Sequence, residues 1–367
     1  MALFSIEKGG GMSILDRYIG RTVIFGTLTT LAVLLALYIF MTYIGELQKV
    51  GQARYTPLLA LQFTLLTLPR WAGDLFPMAA LIGSLMGLGT LASNSELTVM
   101  RAAGVSVMRI TWAVMKVALL MMVIVVIISE GVASHTEQYA FKLRATALEK
   151  HVSVNTGSGL WIREGNSYIN ARTVYSNNHL GGVHLYDFDE NKLPLKLTYA
   201  PEAVYQNDGN WVLKDVSQTL FTKPRITTRQ QHQLIWHGIL NPGLIDVVAV
   251  EPQGLSSREL LRYIDYLESN GLNSDQYRVA FWSKLASPFA TGAMMLLAIP
   301  FIFGSMRSVS MGSRLLAGTL IGIGFYLFNH SLGQLGIVYS IPPFLSATLP
   351  TICAVAITSY MLRRIRV

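Results

Sequence analysis

The chain has 367 residues, of which 51% are hydrophobic and only 14% are charged, and its mean hydropathy is +0.42. This composition disfavours a soluble globular protein, which needs more polar surface, and the single cysteine, Cys353, excludes an internal disulfide framework. The net charge of +8 lies outside residues 130–278, which are almost balanced, and this distribution favours a membrane scaffold over a nucleic-acid-binding protein.

Six long apolar stretches predict transmembrane helices, because about 20 such residues cross the hydrocarbon core. The second stretch exceeds one crossing and contains Pro69 and Pro77, so we expect a kinked helix whose first part is interfacial. In chain order the predicted spans are 22–45, 57–92, 105–129, 280–303, 315–338 and 343–362.

The central segment has a different pattern, in which short stretches rich in Val, Tyr, Trp and Thr alternate between apolar and polar residues. These stretches predict antiparallel strands, with a hairpin at residues 207–210, and their spacing favours a sandwich, a jelly roll or an open barrel. Flanking helices are expected at 136–150 and 256–270, the second capped by Ser257. The predicted strands cover 159–169, 183–188, 195–205 and 211–221.

These elements predict a membrane α-helical protein with three spanning helices on each side of an inserted antiparallel β domain. Residues 1–135 would form the N-terminal transmembrane half, including a short helix at 93–104. Residues 136–272 would form the β domain with its flanking helices, and residues 273–367 the C-terminal transmembrane half.

The basic residues of the short loops indicate the orientation. Ten of them fall on one side of a six-span arrangement, whereas the opposite short loops carry Lys49 and Arg54. The positive-inside rule therefore predicts cytoplasmic termini and an extracytoplasmic β domain. The ten residues are Lys8, Arg17, Arg21, Arg101, Arg109, Arg307, Arg314, Arg363, Arg364 and Arg366.

The sequence lacks the motifs of several enzyme classes. It contains no G-x-x-x-x-G-K-[ST], so the chain has no P-loop of its own for ATP, and no G-x-S-x-G, H-E-x-x-H or CxxC. Six of its seven histidines are spread through the central segment from His135 to His237, without the spacing of a metal site. We therefore expect a non-catalytic protein with no cofactor and no metal.

Residues 93–104 form an amphipathic stretch between the second and third predicted spans. Ser and Asn residues precede Glu96 as potential caps, and Gly104 ends the stretch. A helix that docks in a groove of a partner and a helix that lies on lipid headgroups both fit this pattern.

The same stretch resembles the coupling helix of the LptF/LptG permease family, the membrane subunits of the lipopolysaccharide (LPS) exporter. Residues 15–20 (LDRYIG), 76–81 (FPMAAL) and 341–343 (IPP) are also similar to motifs of this family, and more to its LptG branch than to LptF. The resemblance covers all but about the first dozen residues. It implies six helices around a periplasmic β-jellyroll in the inner membrane of a Gram-negative bacterium.

The resemblance also implies partners. Members of the family pair as an LptF–LptG heterodimer, a dimer of the ATPase LptB binds and hydrolyses ATP in trans, and LptC continues the periplasmic bridge. By this analogy Glu96 would pair with a basic group of the ATPase, and the coupling residues would be Glu96, Leu97, Met100 and Arg101.

A cavity for LPS needs apolar walls and a basic rim for its phosphates. Lys49 and Arg54 follow the first predicted span, and Arg144 lies on the helix that leaves the third, so these three residues are the candidates for that rim. The alternative role for Lys49 and Arg54 is to anchor a loop at the membrane interface. Thr42 and Gln48 occupy positions where relatives often carry basic residues.

Other residues of the predicted spans favour structural roles. Arg70 and Asp74 are spaced for an ion pair on one helix face, which lowers the cost of both charges in lipid. Two glycine pairs, Gly83/Gly87 and Gly318/Gly322, predict close helix contacts of the small-xxx-small type.

Two other functions compete with the permease. A proton-driven secondary transporter would use Asp74, Lys116 and His330 as a relay, but these residues do not fall at one membrane depth. A membrane-tethered assembly protein would need one span and not six. Dependence on a partner ATPase distinguishes the permease from both.

Overall fold

The computed structural model describes residues 14–148, 160–176, 178–189, 192–206, 210–222, 225–237, 252–270, 272–304 and 310–364. The chain divides into two compact units. The first, called the helical unit below, contains Met1–Met41, Leu68–Ala133 and Trp282–Val367. The second, called the sheet unit, contains Thr42–Thr67 and Ser134–Phe281. The linear division predicted from the sequence did not anticipate that residues 42–67 belong with the central segment.

Within the described residues, six helices are long and apolar enough to cross a membrane, three before the sheet and three after it. This confirms the predicted fold class. The helices are α1 (Ile14–Leu47), α2 (Pro57–Ser93), α3 (Glu96–Ala102), α4 (Val107–Val126), a π-helical stretch (Ile127–Ala133), α5 (Ser134–Ala147), α6 (Ser257–Ser269), α7 (Asp275–Phe303), α8 (Met311–Val338) and α9 (Pro343–Arg364). The third span runs from α4 through the π-helical stretch into α5.

Helix α1 begins eight residues before the predicted start of its span at residue 22. The prediction counted apolar residues only, whereas the first two turns of α1 carry Asp16, Arg17 and Arg21. A helix continues beyond its apolar stretch when its polar residues find partners, and Asp16 does so in the protein interior.

Glycines bring α1 and α8 against α2. A Cβ atom added at Gly83 would collide with the backbone of Gly26 and Thr27, and one added at Gly87 would lie 2.8 Å from the carbonyl oxygen of Thr22. On the other side of α2, a Cβ atom at Gly318 of α8 would lie 2.6 Å from Leu85. Both predicted glycine pairs therefore serve packing within this chain.

The sheet unit contains one sheet of six described strands, joined antiparallel in sequence order. Its buried face carries the side chains of Ile169, Leu180, Val183, Leu185 and Trp211. The strands are β1 (Leu160–Glu164), β2 (Ser167–Ser176), β3 (His179–Phe188), β4 (Pro194–Gln206), β5 (Asn210–Thr222) and β6 (Arg225–His237).

Two details of the sheet differ from prediction. The single strand expected at 159–169 is a hairpin, because Gly165 adopts a φ of +57° and reverses the chain between β1 and β2. Strand β6 was not predicted, since most of its residues are polar and exposed. Residues 207–209 of the predicted hairpin lie outside the described residues; on either side of them β4 and β5 pair antiparallel, with Gln206 opposite Asn210.

Helix α6 begins with a capping box one residue earlier than predicted. The N-cap is Ser256 and not Ser257: its hydroxyl accepts a hydrogen bond from the Glu259 N–H at 3.3 Å, and the Glu259 carboxylate accepts one from the Ser256 N–H at 2.8 Å. The spacing of three residues between Ser256 and Glu259 is what this reciprocal bonding requires.

Candidate functional site

Helix α3 is a short helix joined to its neighbours by sharp turns. Ser95, at its N-cap position, has a φ of +61°, and its side chain makes no capping hydrogen bond, contrary to prediction. The left-handed backbone turns the chain between α2 and α3 without such a cap. At the other end Gly104, with a φ of +90°, terminates the helix as predicted.

The predicted coupling residues lie on two faces of α3. Leu97 is only 3% exposed and belongs to the core of the helical unit, and Met100 packs against that core. Val99 is 66% exposed, and Arg101 is also exposed. Leu97 and Met100 therefore hold α3 on its own chain, whereas the side chains of Val99 and Arg101 remain accessible.

The carboxylate of Glu96 is bound by the first helix. The Tyr18 hydroxyl donates a hydrogen bond of 2.6 Å to Oε2 of Glu96, and the side-chain amide of Asn94 lies 3.4 Å from Oε1. Sequence reasoning missed Tyr18 because 78 residues separate it from Glu96. Its place in the LDRYIG motif was the available signal.

Two residues before Tyr18, Asp16 ties α1 to α4. Its side chain is 1% exposed, and its oxygens lie 2.9 Å from Nη2 of Arg109 and 2.6 Å from Nζ of Lys116. A buried carboxylate requires such partners, because desolvation otherwise disfavours its charge. Lys116, which the proton-driven transporter hypothesis would place in a relay, thus forms an ion pair with Asp16.

Arg314 ties α8 to the end of α2. Its residue is 4% exposed, and Nη1 donates to the carbonyl oxygen of Gly89 at 3.1 Å and lies 3.4 Å from the hydroxyl of Ser93. Near α3, side-chain bonds therefore join α1 to both α3 and α4, and α8 to α2.

In the sheet unit, the predicted phosphate-binding residues gather around one carboxylate. The side chain of Glu46 is 6% exposed, and its Oε1 lies 2.6 Å from Nζ of Lys49 and 3.1 Å from Nη1 of Arg144. The Tyr55 hydroxyl donates to Oε2 at 2.9 Å. Glu46 and Tyr55 were not predicted as members of this site. The spacing of three residues between Glu46 and Lys49, which permits an ion pair on one helix face, was the available signal.

Aromatic rings and backbone bonds complete this cluster. The guanidinium carbon of Arg144 lies 4.4 Å from the ring centre of Phe63 and 5.0 Å from that of Phe141. The backbone N–H of Arg54 donates to the carbonyl oxygen of Ala147 at 3.0 Å, and its side chain is exposed. We call Glu46, Lys49, Arg54, Tyr55 and Arg144 the Glu46 cluster.

The Glu46 cluster combines three basic groups with one acid. Burial, reinforced by the hydrogen bond to the Glu46 carboxylate, raises the pKa of Tyr55, so its hydroxyl stays a donor at physiological pH. Lys49 and Arg144 keep partly exposed side chains while bonded to Glu46. The ammonium of Lys49 and the guanidinium of Arg144 carry more N–H donors than their bonds to Glu46 use, and these donors suit a second anion.

The predicted ion pair of the second span is present. Nε of Arg70 lies 3.7 Å from Oδ2 of Asp74. In the same unit Nζ of Lys284 lies 3.6 Å from Oε1 of Glu130. Charges at membrane depth are paired in this way because lipid does not solvate them.

Comparison with known proteins relates the chain to lipopolysaccharide export permeases. The family model described as lipopolysaccharide export system permease LptF/LptG matches residues 17–364. The lipopolysaccharide export system permease protein LptG of Escherichia coli (strain K12) is 38% identical over 353 residues, 96% of this chain and 98% of that protein. The LptG protein of Haemophilus influenzae (strain Rd) is 36% identical over 353 residues, 96% of this chain and 99% of that protein. The chain therefore belongs to the LptF/LptG family of lipopolysaccharide export permeases.

Proposed function

We propose that this protein is a membrane subunit of an ABC-type exporter that extracts LPS from the outer leaflet of the inner membrane. It pairs with LptF, and a dimer of LptB hydrolyses ATP in trans. Both termini face the cytoplasm, and the sheet unit lies in the periplasm, where it passes LPS to the bridge through LptC. The observation that carries this proposal is the outward-facing α3 in a chain that has no P-loop.

The geometry of α3 suits the transmission of force. Its inner face is anchored by Leu97, so a load on the outer face moves the helix together with the core beneath it. The outer face offers the Glu96 carboxylate for an ion pair, Val99 for an apolar contact and Arg101 for a second charge. An ATPase groove with a basic residue opposite Glu96 complements this surface.

The Glu46 cluster suits the phosphates of LPS. Arginine and lysine bind phosphate oxygens through charge-assisted hydrogen bonds, and Arg144 presents a planar guanidinium held by two rings. Glu46 keeps Lys49 and Arg144 in place before the substrate arrives, and exposed Arg54 adds a third donor. This preorganisation lowers the entropic cost of binding.

The sheet offers a route for assembly with LptC. Strands β1 and β6 are the outer strands of the described sheet, and an outer strand presents unpaired backbone groups for strand addition. Prolines at positions of β1 or β6 whose N–H points away from the sheet should abolish LptC binding. Unchanged binding by both variants would refute docking through these edges.

The first test is co-purification of an ATPase. Wild-type protein solubilised in detergent should retain ATPase activity through affinity purification, and Glu96→Lys should lose it, because the substitution reverses the charge presented to the partner. Asp265→Lys, which also replaces a carboxylate by lysine but at an exposed position of α6, is the control and should retain the activity. Wild-type protein that recovers no ATPase would refute the proposed function.

A further inference from the structure

The start of α1 is fixed to α4 and also reaches α3. Asp16 is buried against Arg109 and Lys116, so this turn of α1 is anchored. Tyr18 follows two residues later, about 200° around the helix, and points to α3. Its hydroxyl bonds the Glu96 carboxylate at 2.6 Å.

This hydrogen bond is a polar link between α1 and the coupling surface, in addition to the apolar packing of Leu97 in a core that also contains Ile19 of α1. Its acceptor is ionised, which makes such bonds shorter and stronger than neutral ones. The covalent connections of α3 are the turns at Ser95 and Gly104, both with positive φ, and neither contains a helical segment that would carry a push rigidly.

We propose that Tyr18 is a positioning residue that orients the Glu96 carboxylate for the ATPase and transmits the displacement of α3 to α1. The proposal rests on the proposed function, because it assigns a route to the movement that ATP hydrolysis drives. Helix α1 is a suitable receiver, since Glu46 belongs to it and Lys49 follows it directly along the chain.

Tyr18→Phe tests this route by removing one hydroxyl. In proteoliposomes that contain the assembled exporter, the variant should retain its ATPase and hydrolyse ATP within about twofold of wild type. The amount of LPS released per ATP should fall about fivefold, the scale expected for a lost hydrogen bond to a charged group at a half-exposed site. Thermal denaturation of the complex should be unchanged, which excludes a general loss of structure.

Two control variants sharpen the test. Tyr360→Phe also removes a hydroxyl, from a ring that lies 4.9 Å from the Arg364 guanidinium, and should leave LPS released per ATP unchanged. In a Glu96→Gln background the acceptor is neutral and its hydrogen bond weaker, so adding Tyr18→Phe should change the ratio less than twofold.

The outcomes separate this inference from the proposed function. If wild type brings down no ATPase, the proposed function fails. If the ATPase is present but Tyr18→Phe releases as much LPS per ATP as wild type, only the role of Tyr18 is overturned. A fivefold effect that persists in Glu96→Gln also overturns it, because Tyr18 would then act independently of the carboxylate.

Discussion

Arg144 and Glu46 meet across 98 residues of chain, with Nη1 of the arginine 3.1 Å from Oε1 of the acid. The pair joins the end of α1 to α5 within the sheet unit. Because the Glu46 side chain is 6% exposed and also binds Lys49 and Tyr55, one carboxylate organises every predicted phosphate-binding residue except Arg54.

Loss of the Glu46 carboxylate should destabilise the sheet unit. Glu46→Ala leaves Arg144 and Tyr55 without their acceptor, and we expect the free energy of unfolding to fall by about 2 kcal/mol. Thermal denaturation in detergent measures the change. Asp265→Ala is the control, since Asp265 is exposed on α6 and its substitution should cost less than about 0.5 kcal/mol. Equal losses in the two variants would contradict the organising role of Glu46.

The basic residues of the Glu46 cluster should set the affinity for LPS. Lys49→Gln and Arg54→Gln should each weaken the binding of fluorescently labelled LPS to protein in nanodiscs by about tenfold, the effect of one charge-assisted hydrogen bond. Lys214→Gln, at an exposed position of β5, should leave the affinity unchanged. A uniform reduction by all three variants would mean that net charge alone attracts LPS.

The capping box of α6 should make this helix sensitive to acid. Burial alone would raise the pKa of Glu259, but hydrogen bonds from Ser256 and Gln138 outweigh it and hold the pKa below its ordinary value of 4.5. A lowered folded-state pKa stabilises the helix above the ordinary value, and this stabilisation is lost as the pH falls through the folded-state pKa. The protection of the α6 amides, which is the observed exchange rate corrected for the intrinsic rate at each pH, should therefore fall in wild type from pH 7 to pH 3.

The cap itself can be tested at neutral pH. Ser256→Ala removes the hydroxyl that accepts the Glu259 N–H and should destabilise α6 by about 1 kcal/mol. Ser257→Ala, at the first helical position, should cost less than about 0.5 kcal/mol because it lies outside the capping box. Hydrogen exchange of α6 distinguishes them; greater loss of protection in Ser257→Ala would place the cap at the position that sequence reasoning chose.

Close packing of α1 on α2 should make Gly83 intolerant of a larger residue. A Cβ atom at Gly83 would meet the backbone of Thr27, so Gly83→Ala must separate the two helices and should cost about 2 kcal/mol. At Gly324 an added Cβ atom has nothing within 4 Å, and Gly324→Ala should stabilise α8 by up to about 1 kcal/mol. Opposite shifts in the midpoint of thermal unfolding are expected; a neutral Gly83→Ala would refute the contact.

Much of the architecture follows from local pattern. Predominantly apolar stretches long enough to cross a bilayer indicated the spanning helices, and alternation of apolar and polar residues indicated β3, β4 and β5. The alternation of apolar and polar residues did not predict β6, where it is weak. Strand β6 is mostly polar, so nothing in its own residues marks it as a strand, and its place depends on pairing with β5 through contacts such as Trp236 with Trp211.

The residues of the candidate sites also fall into those that the sequence predicted and those that only the structure revealed. By itself the sequence determined the class of protein and predicted a coupling segment and basic residues for a phosphate, because composition, spacing and motif similarity are properties of neighbouring residues. Only the tertiary structure decided that Glu96 is bound by Tyr18, Lys116 by Asp16 and Arg144 by Glu46. These partners lie 78, 100 and 98 residues apart, and a buried or ionised group does not specify its distant partner until the helices that carry both have packed.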